Sequence, residues 1–138
     1  LLVSSLVFAR LADSAHAKRQ ILKCQYQVDW SSFDYDLPSF SDLSLGLSFD
    51  VEIKNPTDVD VRVEDSRLEI KNDGRYFATA QLGSLQVPAM QTRRQKVEIR
   101  LQVALARLFE YKNLLDKPWD FILWVQMDSD WEFPIYFK

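Results

Sequence analysis

The residues of this chain able to do chemistry are few. In 138 residues there is one cysteine, Cys24, and one histidine, His16. A single cysteine excludes an internal disulfide and any thiolate metal cluster within one chain. Unless His16 serves, most zinc and non-haem iron sites and the histidine-based nucleophilic arrangements are excluded with it. Carboxylates remain. Asp58, Asp60, Glu64 and Asp65 crowd one stretch, and Asp128, Asp130 and Glu132 another. Two carboxylates at the right separation hydrolyse glycosides, and the turn Asp128-Ser129-Asp130 offers oxygen ligands to a cation. That turn lacks the ligand spacing of a dedicated calcium loop, and acids spread along turns and strand faces are ordinarily solvated. The expectation is a protein that is not an enzyme, with no catalytic residues, no metal and no cofactor.

Composition narrows the partners. Apolar residues make up 47%, aromatic 13% and charged 27% of the chain, too hydrophobic for a disordered segment. One domain can bury roughly two-thirds of its unfolded surface at this length. A net charge of −3 gives no bulk basic surface, so nucleic acid is not an expected partner. Arg93, Arg94, Lys96 and Arg100 read as one solvated strand face. Leu1 to Ala9 is an apolar run far short of the roughly 20 residues of a membrane-spanning helix. Ala15-His16-Ala17 resembles the small-residue end of an export signal, although Arg10 and Asp13 interrupt it. Leu2, Leu6, Ala9 and Asp13, with Val3, Val7 and Leu11 beside them, fit an amphipathic helix equally. Residues 1–20 are therefore expected to be helical, as a signal remnant, a packing helix or part of an upstream anchor. An exported (periplasmic) or membrane-associated protein and a cytoplasmic one both stay open. Cys24 reads as a buried strand residue.

From Leu22 onward the dominant period is two. Leu22, Cys24, Tyr26, Val28 and Trp30 alternate with polar residues, and Ser31 to Asp42 reads as a linker draped over the core by Phe33, Tyr35 and Phe40. Leu43, Leu45, Leu47, Phe49, Val51 and Ile53 alternate without error, which specifies register because a one-residue slip would turn all of them to water. Pro56 has no N–H for a ladder and pushes Asn55 to extended geometry, so the strand stops there. Val59, Val61 and Val63 restart the alternation, making Asn55 to Asp58 a corner. Asn72-Asp73-Gly74 between two strand-like runs is a hairpin, Gly83 and Pro88 mark turns, and Val97 to Val103 is a further strand. Ala104 to Leu115 changes to a helical period, ended by Asp116-Lys117-Pro118. Phe121 to Met127 and Trp131 to Phe137 close the chain, with Pro134 marking an edge position or bulge. Short strands with turns about ten residues apart predict an antiparallel β-sandwich, immunoglobulin- or fibronectin III-like, over residues 21–138.

The ordered set of the long strand into Asn55-Pro56, the valine strand, the hairpin at Gly74 followed by Ala78 and Ala80, the Val87-Pro88 turn, the strand and helix, and Phe133-Pro134-Ile135 resembles the water-stress and hypersensitive-response (WHy) domain of the type 2 (LEA14-like) late embryogenesis abundant proteins. The likeness covers about residues 21–138. Thr57 stands where that family often has a second Asn. The resemblance implies a sandwich with one helix, a structural role for Asn55, Pro56, Gly74, Pro88 and Pro134, and a stress-protective or binding function in desiccation, cold and water stress, without catalysis.

An alternative reading is a carrier or adaptor for something apolar, between the sheets or beside the helix. Trp119, Phe121, Trp124, Trp131 and Phe133 concentrate aromatic surface near the C-terminus, and Phe33, Tyr35 and Phe40 offer a lip over it. Phe121-Ile122-Leu123-Trp124-Val125 is apolar on both faces, so that strand has two buried faces or exposes a patch. A lipid, a membrane surface or a protein partner would suit such a patch.

Overall fold

Leu45, Leu47, Phe49, Val51 and Ile53 all point inward from one strand, β2 (Ser44–Lys54), and every one of them is buried. The computed structural model describes residues 18–126 and 132–138. The readings that fall on residues 1–17, on Trp131 and on Asp128-Ser129-Asp130 lie outside them. Around β2 the chain forms β1 (Gln25–Asp36), β3 (Val61–Val63), β4 (Asp65–Asn72), β5 (Arg75–Gln81), β6 (Leu85–Val87), β7 (Thr92–Gln102), β8 (Trp119–Gln126) and β9 (Glu132–Phe137). All pairings are antiparallel. One sheet runs β1-β2-β7, a second runs β5-β4-β8-β9, and β3 pairs with β6 in a short ribbon between them. This is the expected mostly-β sandwich, with one short helical element inserted between β7 and β8.

The core is an aromatic stack between the two sheets. The ring centroids of Phe49 and Phe121 lie 5.4 Å apart, Phe121 stacks on Phe137 at 5.5 Å, and Phe33 stacks on Phe49 at 6.2 Å. Leu68 and Ile70 from β4 and Leu123 and Val125 from β8 complete the second sheet's inner face. Edges are guarded as antiparallel sheets require. Pro134 lies on the edge strand β9, opposite Trp124, where its missing N–H costs no ladder bond. The edge strand β7 carries Arg94, Lys96, Glu98 and Arg100 on one face, a row of charges hostile to strand addition.

Four elements differ from expectation. Residues 18–23 are helical, so Leu22 belongs to a helix and β1 begins at Gln25. Ile21 plugs the core from that helix, and the Tyr26 hydroxyl donates to its carbonyl at 2.7 Å. Cys24 is buried as expected, at the junction rather than in the strand, and burial raises its thiol pKa. The stretch Ser31 to Asp36 is strand and not linker: β1 continues through it past a bulge between Asp29 and Asp34. The helical period after Ala104 produces a 3₁₀ helix, Leu105–Asp116. Val59 is exposed and outside β3, so the valine strand starts two residues late.

Candidate functional site

The corner at Asn55 is built as a hydrogen-bond hub. Its side chain is 0% exposed. Nδ2 donates to the carbonyls of Val59 at 2.8 Å, Val87 at 3.0 Å and, more weakly, Pro88 at 3.3 Å. Oδ1 accepts from the Thr57 amide at 3.0 Å and the Thr57 hydroxyl at 2.6 Å. The Asn55 amide extends the β2–β7 ladder to Gln91. One side chain thereby ties the end of β2 to β6 and to the segment that leads into β3, and the threonine at position 57 closes the turn back onto it. Pro88 opens the return turn, in which the Gln91 amide reaches the Pro88 carbonyl and Met90 adopts a φ of 59°. Gly74 sits at φ 75° beside Asp73 at φ 55° in the β4–β5 hairpin. Asn55, Pro56, Gly74 and Pro88 thus shape turns, and Pro134 an edge. Gly74 borders a depression lined by Lys71, Asp120, Tyr136 and Lys138, to which it brings no side chain.

The C-terminal aromatics do not form the single surface that the sequence suggested. Trp119, Phe121 and Phe133 are buried in the core. Trp124 lies on the opposite, outer face of β8, half-buried beneath the Arg67 guanidinium at 5.0 Å, and Arg67 pairs with Glu132 at 3.0 Å. Its Nε1 finds no acceptor among the described residues. Phe33 and Tyr35 belong to β1, and Phe33 packs on Trp119 inside. Between the sheets, beside Tyr26, Val61, Leu85 and Val125, the cavity measures about 10 Å³, at the limit of a single water. An apolar ligand has no room there.

Apolar surface gathers instead beside the 3₁₀ helix. Leu37, Pro38 and Phe40 of the segment between β1 and β2 face Leu108, Phe109 and Tyr111 across a groove of about 220 Å³. Phe40 is 73% and Phe109 62% exposed, and their rings meet edge-to-face at 6.2 Å. Leu105 and Leu115 extend the exposed patch along the helix. The helix is anchored at its far end, where Asn72 Nδ2 donates to the Leu114 carbonyl at 3.0 Å. Of these residues only Phe40 had been singled out as a surface residue. The overlooked signal is a period of three, Leu105, Leu108, Tyr111 and Leu114, which is the repeat of a 3₁₀ helix and presents one eclipsed apolar row. Among the described residues Arg107 pairs with Glu110, Arg100 with Asp36, and Lys117 with Asp73.

Among the described residues, carboxylates converge on the outer face of the first sheet. Arg94 bonds Asp29, Asp50 (3.0 Å) and Glu52 together. The Arg94 hydrogen bond, with help from Ser31, lowers the Asp29 pKa from its ordinary value. A carboxylate held ionised beside a guanidinium is a poor proton donor, so this cluster is an ion-pair network. The expected single basic face does not form: Arg93 lies on the opposite side of β7, in register with Ile53, and donates to the Gln86 carbonyl, while on the outer side Lys96 pairs with Glu98. Of the Asp58–Asp65 group, Asp60 accepts from the Ala89 amide at 2.7 Å and Asp65 from the Ser66 amide. Among the described residues no group of three or more His, Cys, Asp or Glu could hold a metal ion, and no helix is long and apolar enough to cross a membrane.

No protein-family model and no curated protein matches the chain. Solved structures similar to it include a protein from Archaeoglobus fulgidus, at 12% identity and a TM-score of 0.47, covering 80% of this chain and 91% of that one. A solution structure with a provisional late embryogenesis abundant (LEA) designation is 15% identical with a TM-score of 0.49, covering 98% of this chain and 78% of that one. A structural-genomics consortium target is 13% identical with a TM-score of 0.46, covering 83% and 81%. With TM-scores below 0.5, none of these likenesses bears on what the groove or the corner does.

Proposed function

We propose that the chain is a non-enzymatic module of the LEA type 2/WHy kind, stress-protective or binding, that works by contact through its apolar end. One observation carries the contact surface. Phe40 and Phe109 stand exposed against one another at the groove beside the 3₁₀ helix, on a domain whose interior is filled. Contiguous exposed apolar surface of this sort marks interaction sites. The type 2 character is supported by the ordered set of motifs, above all the Asn55 hub, to which the threonine at position 57 contributes its own hydrogen bonds.

Withdrawal of water exposes apolar surface on proteins and membranes alike, and a folded domain can cover it with a small apolar end while its charged faces keep the assembly dispersed. The carrier reading needs enclosure. Ligand pockets usually measure about 300–1,000 Å³, whereas this groove is smaller and open, so a lipid or a protein partner would be touched at a surface and not engulfed. The test is recovery of a freeze-labile enzyme after freeze–thaw or drying, with wild type or Phe40→Ser/Phe109→Ser added. Because both side chains are mostly exposed, the double variant should melt within about 2 °C of wild type and lose most of the protection. Equal protection by the variant would sink the reading.

A further inference from the structure

The outer face of the second sheet carries a charge pattern that is complementary to itself. Along β4 the outward residues are Asp65, Arg67, Glu69 and Lys71, alternating in sign. Opposite them on β8 stand Gln126, Trp124, Ile122 and Asp120, and on β9 Glu132, Pro134 and Tyr136, with Lys138 paired to Asp120 at 3.9 Å. Reversing β4 end for end places Lys71 against Asp65 and Glu69 against Arg67, so every charge meets its opposite.

We infer that this face is the docking surface for a second copy of the chain, related by a two-fold axis that lies in the contact plane. The axis crosses the strands between the Glu69–Ile122–Tyr136 row and the Arg67–Trp124–Pro134 row. β4 then lies over β4 and β8 over β8, each pair reversed. Lys71 and Glu69 face Asp65 and Arg67 of the second copy, Tyr136 faces Pro134, and Lys138 faces Glu132, while Ile122, only 5% exposed, floors the depression between them. Shape follows the same symmetry. The half of the face around Ile122, Tyr136 and Lys71 is hollowed by a depression of about 390 Å³, while the other half carries the Trp124–Arg67 stack. Tyr136, 71% exposed, lies near the axis. Sheets packed face to face cross at about 30°, an offset that the long Lys and Arg side chains absorb.

Four strands about 4.8 Å apart and seven residues long give a face of about 450 Å² per copy. About 900 Å² for the pair is below the standard interface size, so the dimer belongs to the weak, transient class, with Kd from about micromolar to millimolar.

The test is sedimentation of the whole chain from about 10 µM to 1 mM, for wild type, Asp65→Lys, Lys71→Asp and the swap Asp65→Lys/Lys71→Asp. Circular dichroism confirms that each is folded. The symmetry doubles every contact, so each single variant puts two like-charge pairs into the dimer and should weaken it roughly ten-fold or more. The swap should restore association, and a mixture of the two single variants should associate better than either alone. A wild type that stays monomeric throughout overturns the inference, as do single variants that dimerise like wild type, a swap that fails to recover, or a mixture that behaves as its components do.

Discussion

Replacing Asn55 with Ala should cost the fold about 2–6 kcal/mol. The Val87 carbonyl, buried in the β3–β6 ribbon, would lose its Nδ2–H donor with no water to replace it, and an orphaned buried polar group costs about 1–3 kcal/mol. The Val59 carbonyl and the Thr57 amide sit nearer solvent, so losing their bonds costs about 0.5–1.5 kcal/mol each. For a chain between the size classes usually tabulated, this is a fall of about 10–20 °C in melting temperature. Urea titration followed by circular dichroism measures it, with the slope of the transition checked for constancy. Asn55→Asp separates the two halves of the hub. It keeps an acceptor for Thr57 but sets a carboxylate oxygen against the Val87 carbonyl, so at pH 7 it should be at least as unstable as the alanine variant. A loss below about 1 kcal/mol for Asn55→Ala, or a near-wild-type Asn55→Asp, would show that the donor side of the hub does not hold the corner.

Arg94→Gln should flatten the acid limb of the stability curve. The folded pKa of Asp29 is depressed, so its contribution is present above the unfolded value of about 4 and is lost as pH falls through the folded value. Without Arg94 the main cause of the depression is gone; melting temperatures from pH 7 to 2 that decline in parallel for both proteins would contradict this. Two glycine exchanges should have opposite signs. Gly74→Ala meets no neighbour within 4 Å but is held at φ 75°, costing about 1–2 kcal/mol, whereas Met90→Gly at φ 59° relieves the same strain and should gain up to about 1 kcal/mol. Urea midpoints decide both, and a change of the same sign at the two positions would refute the backbone argument.

β2 was legible because its alternation admits one register, and Asn55-Pro56 because proline ends a ladder whatever surrounds it. β1 was not, because its second half is held by contacts that no local pattern records. The Ser31 amide and hydroxyl both bond the Asp29 carboxylate, and the Asp50 amide of β2 donates to the Ser32 hydroxyl at 2.8 Å. Two serines that read as linker are thus the fasteners of a bulge, and the bulge lets Phe33 turn into the core. Leu22 fell in phase with β1 by coincidence of spacing, while the cost of leaving Ile21 in water decided for the helix. The groove escaped notice because its two walls are about 70 residues apart in sequence, joined only when the Val103 amide bonds the Leu43 carbonyl.

The groove and the self-complementary face are connected by geometry. The 3₁₀ helix leads directly into β8 and is tethered to Asn72 at the end of β4, so the apolar end projects from the Lys71 end of the second sheet. A two-fold axis that reverses the strands sends the two apolar ends to opposite poles of the dimer. Such a dimer cannot lay both ends on one flat membrane. It can touch two separate surfaces and hold them about the length of one domain apart. A weak interface suits that arrangement, because the dimer fraction rises as loss of water concentrates the protein. Contact by single ends would then dominate in dilute solution and bridging or spacing in the dried state, without any change of fold.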